Sequence, residues 1–159
     1  MTATDFRYSD LFHVGVRVRD LDTAMEDLGT GLGLTWSAVV DREQRHWTPA
    51  VGPTSTRLRF TYSREGPQHV ELLEGGTGSI WNADDQPGVH HAGVWVDDVA
   101  AVTIALVGQG WSLEAAQRPP GDGYGSFAYV RSPSGFLLEP VSSARREMFE
   151  RWWAGGPLG

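Results

Sequence analysis

Apolar and polar residues alternate along two stretches of the chain, 12–24 and 90–102, as expected of half-buried β-strands. Valine fills every second position from Val14 to Val18, and alanine or valine does so from Ala92 to Val96. A period of two predicts a strand. In each stretch this pattern ends at aspartates, which precede apolar residues at helical spacing. A short helix with an aspartate N-cap is therefore predicted after each strand.

The two stretches align with each other, and so do the segments further along the chain. Residues 12–24 and 90–102 share five of thirteen positions, among them a histidine, a glycine two residues later and an aspartate. Residues 60–75 and 127–143 carry a phenylalanine, a tyrosine and a glutamate in the same order. Two matches in the same order indicate two copies of one module.

Each copy contains one predicted helix and four predicted strands in the order βαβββ. After the helix of the first copy, the strands are predicted at 35–40, 56–63 and 68–73. After the helix of the second copy, they are predicted at 112–116, 126–131 and 135–141. We therefore predict an α+β fold in which two βαβββ modules form a cupped mixed sheet.

The predicted organisation is a single domain over residues 1–159. Its parts are a module at 12–75, a linker at 76–88, a module at 89–142 and a C-terminal helix at 143–153. The stretch 41–55 contains two prolines and has no counterpart in the second copy, so it is interpreted as an insertion in the first module.

Charge and composition limit the expected partners. The formal net charge of the chain is −7. Nucleic acids and anionic membranes bind proteins through clustered lysine and arginine, so neither is expected to bind this chain. The chain contains no cysteine, which excludes disulfides and thiolate chemistry. A polar N-terminal stretch without an apolar core favours a cytoplasmic protein. A small molecule is the expected partner, and Trp152 and Trp153 are predicted to dock the terminal helix or to form a homodimer contact.

Two adjacent histidines, His90 and His91, stand at the start of the second repeated strand. Successive side chains of a strand point to opposite faces, so these two histidines face different ways. His91 shares its face with Gly93 and Trp95, and it aligns with His13 of the first copy. His91 is therefore the candidate functional residue of the pair.

Each module also carries a glutamate within an apolar strand, Glu71 in HVELLEG and Glu139 in FLLEPV. A buried carboxylate is costly unless it pairs with a cation or binds a metal, and otherwise it must face solvent. If the first and last strands of a module lie close together, two imidazoles and two carboxylates converge. This donor set suits one divalent first-row metal, and its predicted ligands are His13, Glu71, His91 and Glu139.

These motifs resemble the vicinal oxygen chelate superfamily, which includes glyoxalase I, methylmalonyl-CoA epimerase, extradiol dioxygenases and the fosfomycin- and bleomycin-resistance proteins. The resemblance covers residues 12–141 and rests on FHVGVRVRDL, HVELLEG, HHAGVWVDD and GSFAYVRSPSGFLLEP. It implies paired βαβββ modules around a metal held at the four predicted ligand positions. Pro140 departs from the usual strand. Because proline cannot donate to a ladder, the last strand is predicted to be an edge strand or to end there.

The resemblance also implies a chemistry. In this superfamily the metal binds vicinal oxygens of the substrate and acidifies a neighbouring C–H, so that a carboxylate can remove the proton. We therefore expect an isomerase, epimerase or lyase that needs one divalent ion (Zn, Ni, Co, Mn or Fe). Glu139 or Glu71 is the expected base, and Glu43 is a further candidate that the repeat does not support.

Two other functions stay open at this point, an Fe(II) extradiol-type dioxygenase and a metal-free drug-binding resistance protein. The fourth ligand counts against the dioxygenase because it closes a coordination position. The complete ligand set counts against the resistance protein. Aromatic residues are the candidates for contacts to a small, apolar or aromatic substrate, although each also fits a core position: Trp95, Phe127, Tyr129 and Trp47.

Overall fold

The computed structural model describes residues 6–159, which form eight β-strands and three α-helices. Residues 1–5, where the polar N-terminal stretch begins, lie outside the described residues. The first module comprises β1 (Leu11–Arg17), α1 (Leu21–Leu32), β2 (Val40–Thr48), β3 (Gly52–Tyr62) and β4 (His69–Gly75). The second comprises β5 (Gly88–Val96), α2 (Val99–Gly108), β6 (Ser112–Ala116), β7 (Ala128–Arg131) and β8 (Leu137–Ser142), and α3 (Arg146–Trp153) follows. The predicted α+β class, built from two βαβββ modules with mixed strand pairing, is confirmed.

The described residues divide into two compact units, named here after the histidine that each contains. The His13 unit consists of residues 13–44, 56–90 and 146–159. In it β4 pairs in parallel with β1 and antiparallel with β3. The carboxylate of Asp20 caps α1 by accepting a hydrogen bond from the Thr23 N–H at 2.7 Å. The helix ends at Leu32, and its C-cap Gly33 has a φ of 68°, in the left-handed region that glycine adopts readily.

The described part of the His91 unit consists of residues 6–12, 45–55 and 91–145. In it β8 pairs in parallel with β5 and antiparallel with β7, and β7 pairs with β6. Asp98 caps α2 through the Ala101 N–H at 2.9 Å. The core beneath α2 is apolar and includes Val94, Val96, Val102, Leu106, Ala116, Ala128, Val130 and Leu138. Within residues 6–159, no helix combines the length and the apolar character needed to cross a membrane.

The interpretation of residues 41–55 as an insertion is wrong, because they form most of β2 and the start of β3. β2 runs over Val40–Thr48 rather than 35–40, and residues 49–51 make the turn into β3. The buried positions of β2 are Gln44 and His46, while charged residues occupy the exposed ones. Because both sets are polar, the strand lacks the alternation of apolar residues that identified the others.

The prediction that the last strand is an edge strand or ends at Pro140 is also wrong. β8 continues to Ser142 and has β5 on one side and β7 on the other. The β7 pairing reaches Leu138 and resumes with an isolated bridge at Val141. The interruption falls at Pro140 and its neighbour because proline has no N–H to donate. Proline therefore removes a ladder bond locally and leaves the strand intact.

Candidate metal centre

In the His13 unit, the parallel strands β1 and β4 bring His13 beside Glu71. Nε2 of His13 lies 3.1 Å from Oε2 of Glu71, and the two side chains are 0% and 8% exposed. The strand register sets Gly15 opposite Glu71. His13 is two residues before Gly15, so its side chain lies on the same face of the sheet as the Glu71 carboxylate.

In the His91 unit, β5 and β8 repeat this arrangement. Nε2 of His91 lies 2.9 Å from Oε2 of Glu139, with side-chain exposures of 0% and 9%. Gly93 stands opposite Glu139, as Gly15 stands opposite Glu71 in the other unit. The match found along the sequence is therefore also a match in strand register and in the atoms that meet.

The two pairs consist of residue types that bind divalent metals. All four are buried, and each is of a residue type that can ligate a metal ion: His13, Glu71, His91 and Glu139. Their chemistry fits such an ion, since imidazole nitrogen and carboxylate oxygen are both ligands of first-row divalent metals. Burial also favours a bound cation, because two desolvated carboxylates need positive charge to offset the cost of leaving water.

Tyr62 lies next to the His13 pair. It stands opposite Glu71 in the β3–β4 register, and its Oη is 3.5 Å from Nδ1 of His13. The two rings meet edge to face with centroids 5.1 Å apart. The repeat carries a signal for this residue, because Tyr62 matches Tyr129, which is a predicted site residue.

His69 is a second residue that sequence reasoning missed. It stands opposite His13 in the β1–β4 register, two residues before Glu71, and therefore on the same face. Burial lowers the pKa of His69, and the Ser63 carbonyl, 2.6 Å from Nδ1, opposes this shift. The ring stacks on Trp153 with centroids 3.7 Å apart.

Strand register in the His91 unit shows which aromatic residues share the face of Glu139. Val141 lies two residues after Glu139, and it stands opposite both Trp95 in β5 and Phe127. Tyr129 is two residues after Phe127. Trp95, Phe127 and Tyr129 therefore point to the same side of the sheet as Glu139. Their role as substrate contacts stays a prediction.

The contacts of these aromatic residues differ. The Tyr129 ring meets the imidazole of His91 edge to face with centroids 5.0 Å apart, and it meets Phe127 at 5.8 Å. Trp95 is buried and stacks on Phe12 with centroids 3.8 Å apart and an interplanar angle of 7°. One face of the indole is thus covered by the protein's own packing.

Trp47, predicted to face the site, lies on the opposite face of the sheet. It stands opposite Ala116, which belongs to the core beneath α2. Neighbouring residues of a strand point in opposite directions, so the buried His46 has the orientation expected of Trp47. The error follows from the unrecognised strand, because a residue cannot be assigned to a face before its strand is found. Glu43 is exposed.

Comparison with known proteins agrees with this architecture. The sequence profile of the Glyoxalase/Bleomycin resistance protein/Dioxygenase superfamily matches residues 12–129. No protein with a curated description matches significantly. A methylmalonyl-CoA epimerase solved with methylmalonyl-CoA and NH4+ has a TM-score of 0.56 and 21% identity, over 85% of this chain and 94% of that one.

Two further structures share the fold. The methylmalonyl-CoA epimerase of Mycobacterium tuberculosis has a TM-score of 0.52 and 18% identity, over 89% of this chain and 95% of that one. A mutant of 4-hydroxymandelate synthase from Streptomyces coelicolor has a TM-score of 0.56 and 16% identity, over 83% of this chain and 47% of that one. Identities this low show a common fold alone. The profile spans well over half of the sequence, and the chain therefore belongs to the Glyoxalase/Bleomycin resistance protein/Dioxygenase superfamily, the vicinal oxygen chelate superfamily that its motifs resemble.

Proposed function

We propose that the chain is an isomerase, epimerase or lyase that depends on one divalent metal ion held by His13, Glu71, His91 and Glu139. The observation that carries this proposal is the duplicated His–Glu pair. Each unit buries an imidazole against a carboxylate, at 3.1 Å in one unit and 2.9 Å in the other, in the same strand register.

Ligand number supports one shared ion. Protein zinc sites use three or four protein ligands, whereas each His–Glu pair offers two. A single pair is therefore too small a ligand set for tight binding, and the two pairs together make a set of ordinary size. The two carboxylates also balance the charge of a divalent cation, which favours a divalent over a monovalent ion.

The proposed reaction is a proton transfer. When bound, the divalent ion supplies Lewis acidity, which lowers the pKa of a C–H next to a chelated carbonyl. Glu139 or Glu71 takes the proton on a carboxylate oxygen. The same carboxylate in an isomerase, or the other one in an epimerase, then delivers a proton to the deprotonated substrate to form the product. Trp95, Phe127 and Tyr129, on the face of Glu139, favour a small substrate with an apolar or aromatic part.

The competing functions are less well supported by the same residues. Fe(II) oxygenases of the two-histidine, one-carboxylate type leave coordination positions open for oxygen, and a second carboxylate closes one of them. Likeness to 4-hydroxymandelate synthase at 16% identity extends to the fold alone. A metal-free drug-binding protein has no need for two buried His–Glu pairs, whose burial is costly without a cation.

Hydrogen exchange tests the proposed chemistry. Metal-loaded protein is incubated in D2O with compounds that carry an acidic C–H beside a carbonyl, including methylmalonyl-CoA and 2-oxo acids, under nitrogen and in air. We expect deuterium incorporation in both atmospheres, measured by mass spectrometry. Replacing the base, by Glu139→Gln or Glu71→Gln, should slow exchange about 100-fold or more. The exposed Glu43→Gln variant is the matched control and should exchange at the wild-type rate.

Turnover that requires dioxygen and iron, without exchange under nitrogen, would replace the proton-transfer proposal with the dioxygenase. A loss of exchange in Glu43→Gln alone would identify Glu43, in β2, as the base.

A further inference from the structure

The far nitrogen of His13 meets a hydroxyl that no part of the proposed reaction uses. Nε2 of His13 faces Glu71 at 3.1 Å, so Nε2 is the nitrogen available for metal binding. Nδ1 lies 3.5 Å from Oη of Tyr62. A histidine that binds a metal through Nε2 carries its proton on Nδ1, and the acceptor of that proton fixes the tautomer and the orientation of the ring. Tyr62 is in position to be this acceptor.

Tyr62 is itself held by the C-terminal helix. The Tyr62 ring contacts Phe149, Trp152 and Trp153 with centroid distances of 5.5, 5.4 and 5.9 Å. These aromatic side chains of α3 form a wall around a residue that is only 2% exposed. A buried ring with neighbours on several sides has few rotamers available, so α3 restricts where the hydroxyl can point.

Hydrogen bonds anchor α3 to the rest of the His13 unit independently of Tyr62. The indole N–H of Trp152 donates to the Ala38 carbonyl at 2.9 Å. The guanidinium of Arg64 donates to the carbonyls of Trp153 and Ala154 at 3.0 and 3.2 Å. The Trp153 ring also stacks on His69, the neighbour of His13 in the next strand. The helix is thus held by contacts that do not involve Tyr62.

We propose that Tyr62 is a positioning residue of the metal centre, and that α3 acts on metal affinity by holding Tyr62 against His13. The proposal rests on the proposed function, because it assumes that His13 is a metal ligand. It assigns to the last helix of the chain a role in the site, although that helix contributes no ligand. Partners that orient metal-binding histidines typically change affinity by about 10-fold to 100-fold.

The test is a Co²⁺ titration of metal-stripped protein, followed by visible absorption. Tyr62→Phe keeps the ring and its packing and removes only the hydroxyl, so the apoprotein should unfold near the wild-type temperature. Its Kd for Co²⁺ should rise about 10-fold or more. Tyr124→Phe removes a hydroxyl from a buried tyrosine of the core beneath α2 and is the matched control. Its Kd for Co²⁺ should not change.

A spectroscopic readout separates positioning from general stability. The Nδ1 proton of a Co²⁺-bound histidine gives a strongly shifted proton NMR signal. Tyr62→Phe should broaden one such signal through faster exchange with water, while a signal from His91 stays sharp. Unchanged Kd and unchanged signals in Tyr62→Phe would overturn the proposal. Failure of the wild-type protein to bind Co²⁺ would instead overturn the proposed function.

A variant of α3 tests the second half of the proposal. Trp153→Leu removes one side of the aromatic wall and keeps the backbone carbonyl that Arg64 contacts. It should raise the Kd for Co²⁺ in the wild-type background. It should have little further effect in the Tyr62→Phe background, since the two changes act on one interaction. Additive losses in the double variant would show that α3 acts by another route and would overturn its assigned role.

Discussion

The His13 and His91 units present the same His–Glu arrangement in different surroundings. Both set a histidine and a glutamate on one face, with a glycine opposite the glutamate. The His13 pair lies beside Tyr62, which the aromatic residues of α3 enclose. The His91 pair lies beside Tyr129 in a sheet whose other face packs on α2. The two modules thus share the strand register that places each His–Glu pair, while the packing around the pairs differs.

The largest expected effect on metal content separates the two adjacent histidines of β5. His91→Ala should remove bound metal and the stability that binding adds, which is roughly 2.7 kcal/mol when free metal is at about 100 times Kd. His90→Ala should do neither. Metal analysis and thermal unfolding with and without chelator measure both quantities. If the two variants behave alike, the assignment of His91 to the site face is wrong.

The second prediction compares how much stability is lost at matching positions of β5 and β1. Trp95 is buried and stacks on Phe12, so Trp95→Ala should destabilise the fold by about 3–5 kcal/mol. The repeat places Arg17 at the matching position of β1, where its guanidinium donates to the Ile80 carbonyl at 3.2 Å. Arg17→Ala should cost less. Urea unfolding measures both changes, and a mild effect of Trp95→Ala would contradict the packing role assigned to the indole.

The helix caps are expected to contribute alike in both units. Asp98→Ala removes the acceptor of the Ala101 N–H and should lower the unfolding free energy by about 1 kcal/mol. Asp98→Asn keeps an acceptor and should lower it less. Asp20→Ala should act in the same direction on α1. A large effect at one cap only would contradict the similarity of the two modules at their first turn.

Acid should weaken the cap of α1. The hydrogen bond from Thr23 lowers the pKa of Asp20 below 3.8. A carboxyl whose pKa falls on folding stabilises the protein above its unfolded pKa, and this contribution is lost as pH falls through the lower folded value. Between neutral pH and pH 3, the unfolding temperature should fall slightly less in Asp20→Asn than in the wild-type protein. An identical pH dependence would contradict the cap's electrostatic role.

The candidate ligands could be identified from the sequence because they repeat. His13, Glu71, His91 and Glu139 could be found without any structure, since each has a counterpart at the same position of the other module. The fold class followed from the same repeat, together with strand periodicity. These features are local in sequence or are duplicated along it.

The remaining features of the fold and of the site could not be predicted from the repeat. β2 was missed because Gln44 and His46 are polar residues at buried positions, so its pattern resembles a loop. Trp47 was consequently assigned to the wrong face. Pro140 is accommodated because β8 has neighbours on both sides that hold the strand. The contact between Tyr62 and α3 joins residues far apart in the chain, and only tertiary packing reveals it.

The stoichiometry of metal binding tests the central claim most directly. Metal-stripped wild-type protein is titrated with Co²⁺, alongside His13→Ala and His91→Ala, and bound metal per chain is measured after dialysis. If the two His–Glu pairs hold one ion together, the wild-type protein binds one ion per chain and either variant loses tight binding. Two ions per wild-type chain, or one tightly bound ion remaining in either variant, would show that the pairs bind independently and would contradict the account.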